Sequence, residues 1–90
     1  MSRQYKTSKE FDRILARLQK KDTQLYENLF NKISEILNNP DIEHYKNLRY
    51  DMNDFKRVHV GHFVLVFKFD KKNNIIFFSD FDYHDKIYKK

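Results

Sequence analysis

Residues 57–69 read RVHVGHFVLVFKF, and this stretch decides the fold. Up to Gly61 apolar and polar residues alternate with period two, the repeat of a β-strand whose successive side chains point to opposite faces. The pattern predicts a strand from Arg57 to Val60, a turn at Gly61 and a second strand from Phe63 to Phe69. In the first strand Val58 and Val60 share one face, which leaves Arg57 and His59 together on the other. The second strand carries Phe63, Leu65, Phe67 and Phe69 on one side and Val64 and Val66 on the other, the mark of a central strand covered on both faces.

Downstream, Asp70 to Asn74 is a polar turn and Ile75 to Phe81 a third strand, so the C-terminal half is predicted to be an antiparallel meander. Upstream the period changes. Phe11, Ile14, Leu15 and Leu18 fall at i, i+3, i+4 and i+7, the stripe of an amphipathic helix with Ser8 as its N-cap. Asp22 or Thr23 caps a second helix bearing Leu25, Tyr26, Leu29, Phe30, Ile33, Ile36 and Leu37 on one broad face, and Asn38, Asn39 and Pro40 stop it. Two helices joined by about three residues lie antiparallel as a hairpin. Arg3 to Thr7 is predicted to be a short first strand. Asp41 to Phe55 has no periodic stripe and is expected to cross the surface as a loop anchored by Leu48. The expected fold is therefore α+β, a single β-α-α-β-β-β domain over 1–90 with the two-helix hairpin packed on a mainly antiparallel four-stranded sheet. Something beyond the two helices must cover the face that carries Val64 and Val66.

The charge is uneven. The net charge is +5, and the first 21 residues hold Arg3, Lys6, Lys9, Arg13, Arg17, Lys20 and Lys21 against Glu10 and Asp12, which places all of the excess there. A local basic face suits RNA or an acidic protein partner. Arg13, Arg17, Lys20 and Lys21 also read as the solvated side of the first helix, and both readings stay open. With no Cys there is no disulfide, thiolate nucleophile or Cys-based zinc site. No apolar run approaches the roughly 18 residues that span a bilayer, and MSRQYKTSKEF carries no signal-peptide core, so a cytoplasmic protein without membrane contact is expected.

Glycine-rich phosphate loops, nucleophile elbows and zinc-peptidase helix motifs are absent from the sequence. His59, His62, His84 and Asp85 are not read as a metal site, because His is common in turns and at strand ends; no cofactor is expected. Histidine instead offers a proton donor or acceptor near neutral pH, and Arg or Lys beside it holds a phosphate. Arg57 with His59, together with the terminal cluster Tyr83-His84-Asp85-Lys86-Ile87-Tyr88-Lys89-Lys90, supplies both parts.

Three stretches carry a resemblance to a known family: Lys46-Asn47-Leu48, Lys56-Arg57-Val58-His59-Val60-Gly61-His62-Phe63, and His84-Asp85-Lys86-Ile87-Tyr88. With the order of elements and the Asn-Asn-Pro helix stop, the chain resembles the RelE/ParE toxins of type II toxin–antitoxin pairs over nearly its whole length. Many RelE-like members have an Arg directly after the aromatic that follows the glycine turn. Val64 stands there, which shifts the resemblance toward members that use His for proton transfer.

The resemblance implies a toxin bound as a hetero-oligomer to a cognate antitoxin, acting on the ribosome as a messenger RNA endoribonuclease by metal-independent acid–base cleavage. It implies His84 and His59 as the proton-transfer groups, Arg57 for the developing charge and Tyr88 for orientation or stacking. Lys46, Lys56, Lys86, Arg13 and Arg17 are the expected RNA contacts. Two alternatives belong to other classes: a ParE-like inhibitor that binds DNA gyrase without chemistry, and a degenerate member that only binds antitoxin or RNA. The antitoxin is expected to cover apolar sheet surface, and Val64→Arg to leave the rate unchanged or raise it.

Overall fold

The computed structural model describes residues 3–49 and 52–89, and for residues 48, 49 and 52–54 the backbone alone. Strand β1 (Gln4–Thr7) leads into helix α1 (Lys9–Lys21), capped where expected: the Ser8 side chain accepts the Phe11 amide. Helix α2 (Thr23–Asn38) follows directly, with Asp22 as the cap that accepts the Leu25 amide. Each cap satisfies an amide that would otherwise lack a partner at the helix start, a contribution of about 1 kcal/mol. A 3₁₀ turn (Ile42–His44) then leads to β2 (Asn47–Arg49), β3 (Met52–Val60), β4 (Phe63–Asp70), β5 (Ile75–Tyr83) and a short helix α3 (His84–Lys89).

The sheet order is β1-β5-β4-β3-β2, with β1 parallel to β5 and the other neighbours antiparallel. The predicted hairpin and meander are present. The segment expected as a loop is more ordered than its pattern implied: β2 adds a fifth, three-residue strand at the edge, and β3 begins at Met52 instead of Arg57. Leu48, the expected anchor, lies outside the described side chains. Gly61 closes the β3–β4 turn at φ +61°, a left-handed conformation in which only glycine escapes a Cβ penalty.

The helices cover one face of the sheet. Phe11, Leu29 and Ile36 meet Leu65, Phe67, Ile76 and Phe78, all fully buried, in one continuous core. Phe30 is an exception to the predicted stripe, because it sits on the flank of α2 and is 43% exposed. Val64 and Val66 point to the opposite face. There Ile87 of α3 covers them, with Phe55 and Tyr88 packed at the margin. The chain thus supplies its own cover for a surface expected to await an antitoxin. Among the described residues no helix is long and apolar enough to cross a membrane.

Candidate active site

The second face of the sheet collects the chemistry. Cross-strand partners share a face, so the pairs Arg57↔Val66 and His59↔Val64 put both polar residues of β3 beside the small core that α3 covers. Residues His84, Ile87 and Tyr88 fall at i, i+3 and i+4 of α3. Burying Ile87 therefore turns His84 and Tyr88 toward the same surface. The start of this helix is pinned by the His84 amide, which donates to the His62 carbonyl at 3.1 Å.

The outcome is a ladder of three rings. His59 and His84 stack with centroids 5.6 Å apart and planes 18° from parallel, and His84 meets Tyr88 at 4.6 Å. The Asp85 carboxylate lies 3.5 Å from His84 Nδ1, with both side chains well exposed. Although His59 as a whole stays exposed, partial burial of its ring, then the Arg57 guanidinium, then His84, hold its pKa below the ordinary 6.5. His59 is consequently a free base at neutral pH. Arg57 Nε is buried and has no hydrogen-bond partner among the described residues.

His84, His59, Arg57 and Tyr88 thus come together, but the expected RNA contacts scatter. Lys56 lies one position from Arg57 and so on the helix-covered face. It is 8% exposed, and its ammonium donates to the Tyr45 carbonyl at 3.1 Å with the Glu43 carboxylate at 3.7 Å. The group thus holds the 3₁₀ turn to β3, and it also lines the open groove that Lys46 and Lys68 share. Lys46 is exposed at the sheet edge, its carbonyl accepting the Arg57 amide, and its side chain lines an open groove of about 500 Å³ with Lys68. Arg13 and Arg17 stand on α1, beyond the sheet from the histidines. Arg13 faces Glu10 at 3.9 Å, whereas Arg17 and Lys86 line a separate groove. Arg3 is structural, its guanidinium donating to the Asn39 and Pro40 carbonyls and to the Asn74 side chain.

Two features of the face escaped the sequence reading. Lys68 pairs with Phe55, which puts a cation in the same row system as Arg57. Asp80 and Asp82 pair with Val66 and Val64, so carboxylates flank the covered core on the β5 side. Strand alternation carries both signals, but they become readable only once the register is known. Val64 is fully buried under Ile87, so an Arg at this position has no room, contrary to the expectation that it would be tolerated. No group of three or more His, Asp or Glu among the described residues is placed to hold a metal ion.

A family described as the ParE toxin of type II toxin–antitoxin systems, parDE, matches residues 5–88. The chain belongs to this family. The toxin is 51% identical to a Methanocaldococcus jannaschii protein named "Putative toxin RelE4" over 80 residues, 88% of this chain and 83% of the relative. Its fold is RelE-like. It superposes on a Mycobacterium tuberculosis toxin–antitoxin complex, RelBE2, with a TM-score of 0.74 at 13% identity, covering 93% of each chain. A mutant of the Escherichia coli toxin RelE in the free state gives a TM-score of 0.71 at 20% identity, covering 99% of this toxin and 93% of that chain. At such identities the two structures speak for the fold alone.

Proposed function

We propose that this toxin is a ribosome-dependent messenger RNA endoribonuclease of the cytoplasm, working without metal or cofactor and held inactive by an antitoxin. The observation that carries the reading is the His59–His84–Tyr88 ladder beside Arg57. Cleavage of RNA at a phosphodiester needs a base to remove the 2′-OH proton, so that the 2′-oxygen bonds to phosphorus. It also needs an acid to protonate the 5′-oxygen as the P–O5′ bond breaks, and a cation for the charge in between. The products are a 2′,3′-cyclic phosphate and a free 5′-OH. His59, held as a free base, takes the first proton; His84 gives the second; the guanidinium of the partly exposed Arg57 stabilises the phosphorane charge; Tyr88 orients a base or the His84 ring. A binding inhibitor has no use for two imidazoles in contact.

Mapping transcript breaks by primer extension, with and without ribosomes, tests this. Breaks are expected in translated message only when ribosomes are present. The family description names ParE, and that favours gyrase binding as the second reading. Intact transcripts in both arms, with loss of DNA supercoiling by gyrase, would establish it instead.

The antitoxin partner is supported by the relation to RelBE2, which is itself a toxin–antitoxin complex. Because Ile87 already covers Val64 and Val66, the basic side of α1 is the surface to test for antitoxin recognition. Reversing charge with Arg13→Glu and Arg17→Glu is expected to slow association by roughly ten-fold at low salt and to flatten its salt dependence, as for a steering patch. Stopped-flow association measures it. Unchanged kinetics would return both residues to the solvated side of an amphipathic helix.

A further inference from the structure

Tyr83 and His84 are consecutive, yet their side chains serve opposite faces of the sheet. While His84 joins His59 on one, Tyr83 pairs with Phe63 on the other. The Tyr83 ring stacks on Phe63 at 4.3 Å with planes 29° apart, and Phe63 stacks on the buried Phe81 at 5.1 Å and 15°. Three rings therefore form a pile whose base is in the core and whose top, Tyr83, is 52% exposed. An aromatic backed in this way is rigid, and its exposed area carries the Lys86 ammonium, a mobile cation that a stacking ligand can displace. It stands at the rim of a groove of about 290 Å³ that Arg17, Leu18 and Lys86 also line, with the Lys86 ammonium 5.9 Å from the ring centroid.

We propose that Tyr83 is a stacking platform for one unpaired RNA base, next to the nucleotide held at the His59–His84 pair. A rigid, exposed ring offers a surface on which a base of single-stranded nucleic acid can stack whatever its sequence, because every base has a π-face. The two sites meet at the β5–α3 junction, where the Cα atoms of consecutive residues are about 3.8 Å apart. Because the two side chains serve opposite faces, a strand whose phosphate lies at the histidines reaches Tyr83 by turning around the end of the sheet at this junction. Lys86 and Arg17 then face the phosphate of that base.

Charge is not what drives the contact. Glu10, Asp22 and Asp82 line the same groove against Arg17 and Lys86, so the groove has no net positive charge. The Asp82 carboxylate accepts the Tyr83 amide at 2.8 Å and that of Asp22 caps α2, which keeps both on the backbone. Stacking must supply most of the affinity, and the contribution of Tyr83 should vary little with salt, unlike that of a phosphate contact.

The choice of RNA as ligand rests on the ribonuclease reading, and the experiment separates the two. A short 2′-O-methyl oligoribonucleotide with one 2-aminopurine cannot be cleaved, and its fluorescence falls when that base stacks. Tyr83→Leu keeps an apolar contact with Phe63 but offers no ring face. It should weaken binding by about 5- to 150-fold, the effect of removing one aromatic from a base stack, and abolish the quench. Tyr83→Phe should retain both, and thermal melts should show each variant folded. Quenching that depends on Tyr83, with no cleavage of any transcript, would keep the platform and sink the ribonuclease. Cleavage with wild-type KM in Tyr83→Leu would overturn the platform alone. So would an absent quench, or a Tyr83→Leu defect confined to antitoxin binding.

Discussion

His84→Gln lowers the single-turnover cleavage rate by roughly 100-fold or more, the loss expected when a general acid is removed, while ribosome binding survives. Glutamine fills similar space on α3 and leaves the backbone bond to His62 in place, so the change is chemical and not structural. His59→Gln should cost about as much, because neither proton transfer can cover for the other. The pH profile tells the two apart. His59 acts in its neutral form, and its pKa lies below 6.5, so the rate should rise with pH through a limb below 6.5. Arg57 is one cause of that lowered value. Arg57→Ala should therefore slow cleavage by removing a cation from the phosphorane and also move the rising limb to higher pH. The second effect has no counterpart in the sequence, where Arg57 and His59 share a face but nothing indicates that one titrates under the influence of the other. Full cleavage in both His variants would end the acid–base mechanism. An acid limb that stays put in Arg57→Ala would mean that the guanidinium does not govern the titration of His59, whose burial is the larger cause of its lowered pKa.

The elements that proved legible in the sequence are those with several turns or several alternations behind them. Phe11, Ile14, Leu15 and Leu18 define α1 because four residues agree on one face, and the caps Ser8 and Asp22 are local chemistry that no distant contact can override. Helix α3 shows the opposite case. The triple His84, Ile87 and Tyr88 has helical spacing, but six residues are fewer than two turns, and a helix so short gains too little from its own hydrogen bonds to form unaided. It exists because Ile87 finds Val64 and Val66, partners about 20 residues earlier in the chain. The site was legible to the same extent. Strand parity joins Arg57 to His59, whereas the stacking of His84 on His59 depends on how α3 docks. The partners of Lys56 were hidden for a related reason: it is a cation in a basic stretch, and only the register shows that its ammonium meets the Tyr45 carbonyl.

That dependence of the site on α3 gives the second large effect. Val64→Arg places a long cation at a fully buried position under Ile87, between His59 and Asp82 in the cross-strand row. Overpacking alone costs about 1–3 kcal/mol, and burying the charge adds several more unless it escapes to water. Escape toward water, past His59 or Asp82, requires the side chain to pass through the space that Ile87 fills. The expected outcome is a loss of about 3 kcal/mol with α3 lifted from the sheet, a fall in melting temperature of roughly 12–24 °C for a domain of this size. Cleavage should fall along with stability, because His84 and Tyr88 ride on α3 and leave His59 when Ile87 does. Val64→Ile, which adds one methylene and no charge, should cost about 1 kcal/mol, the low end of overpacking, and retain the rate. Thermal melts and single-turnover cleavage, measured on the same preparations, decide the matter. A Val64→Arg variant that melts at the wild-type temperature and cuts as fast would mean that α3 does not need its apolar seat to hold His84 in place, and the ring ladder would lose its structural basis.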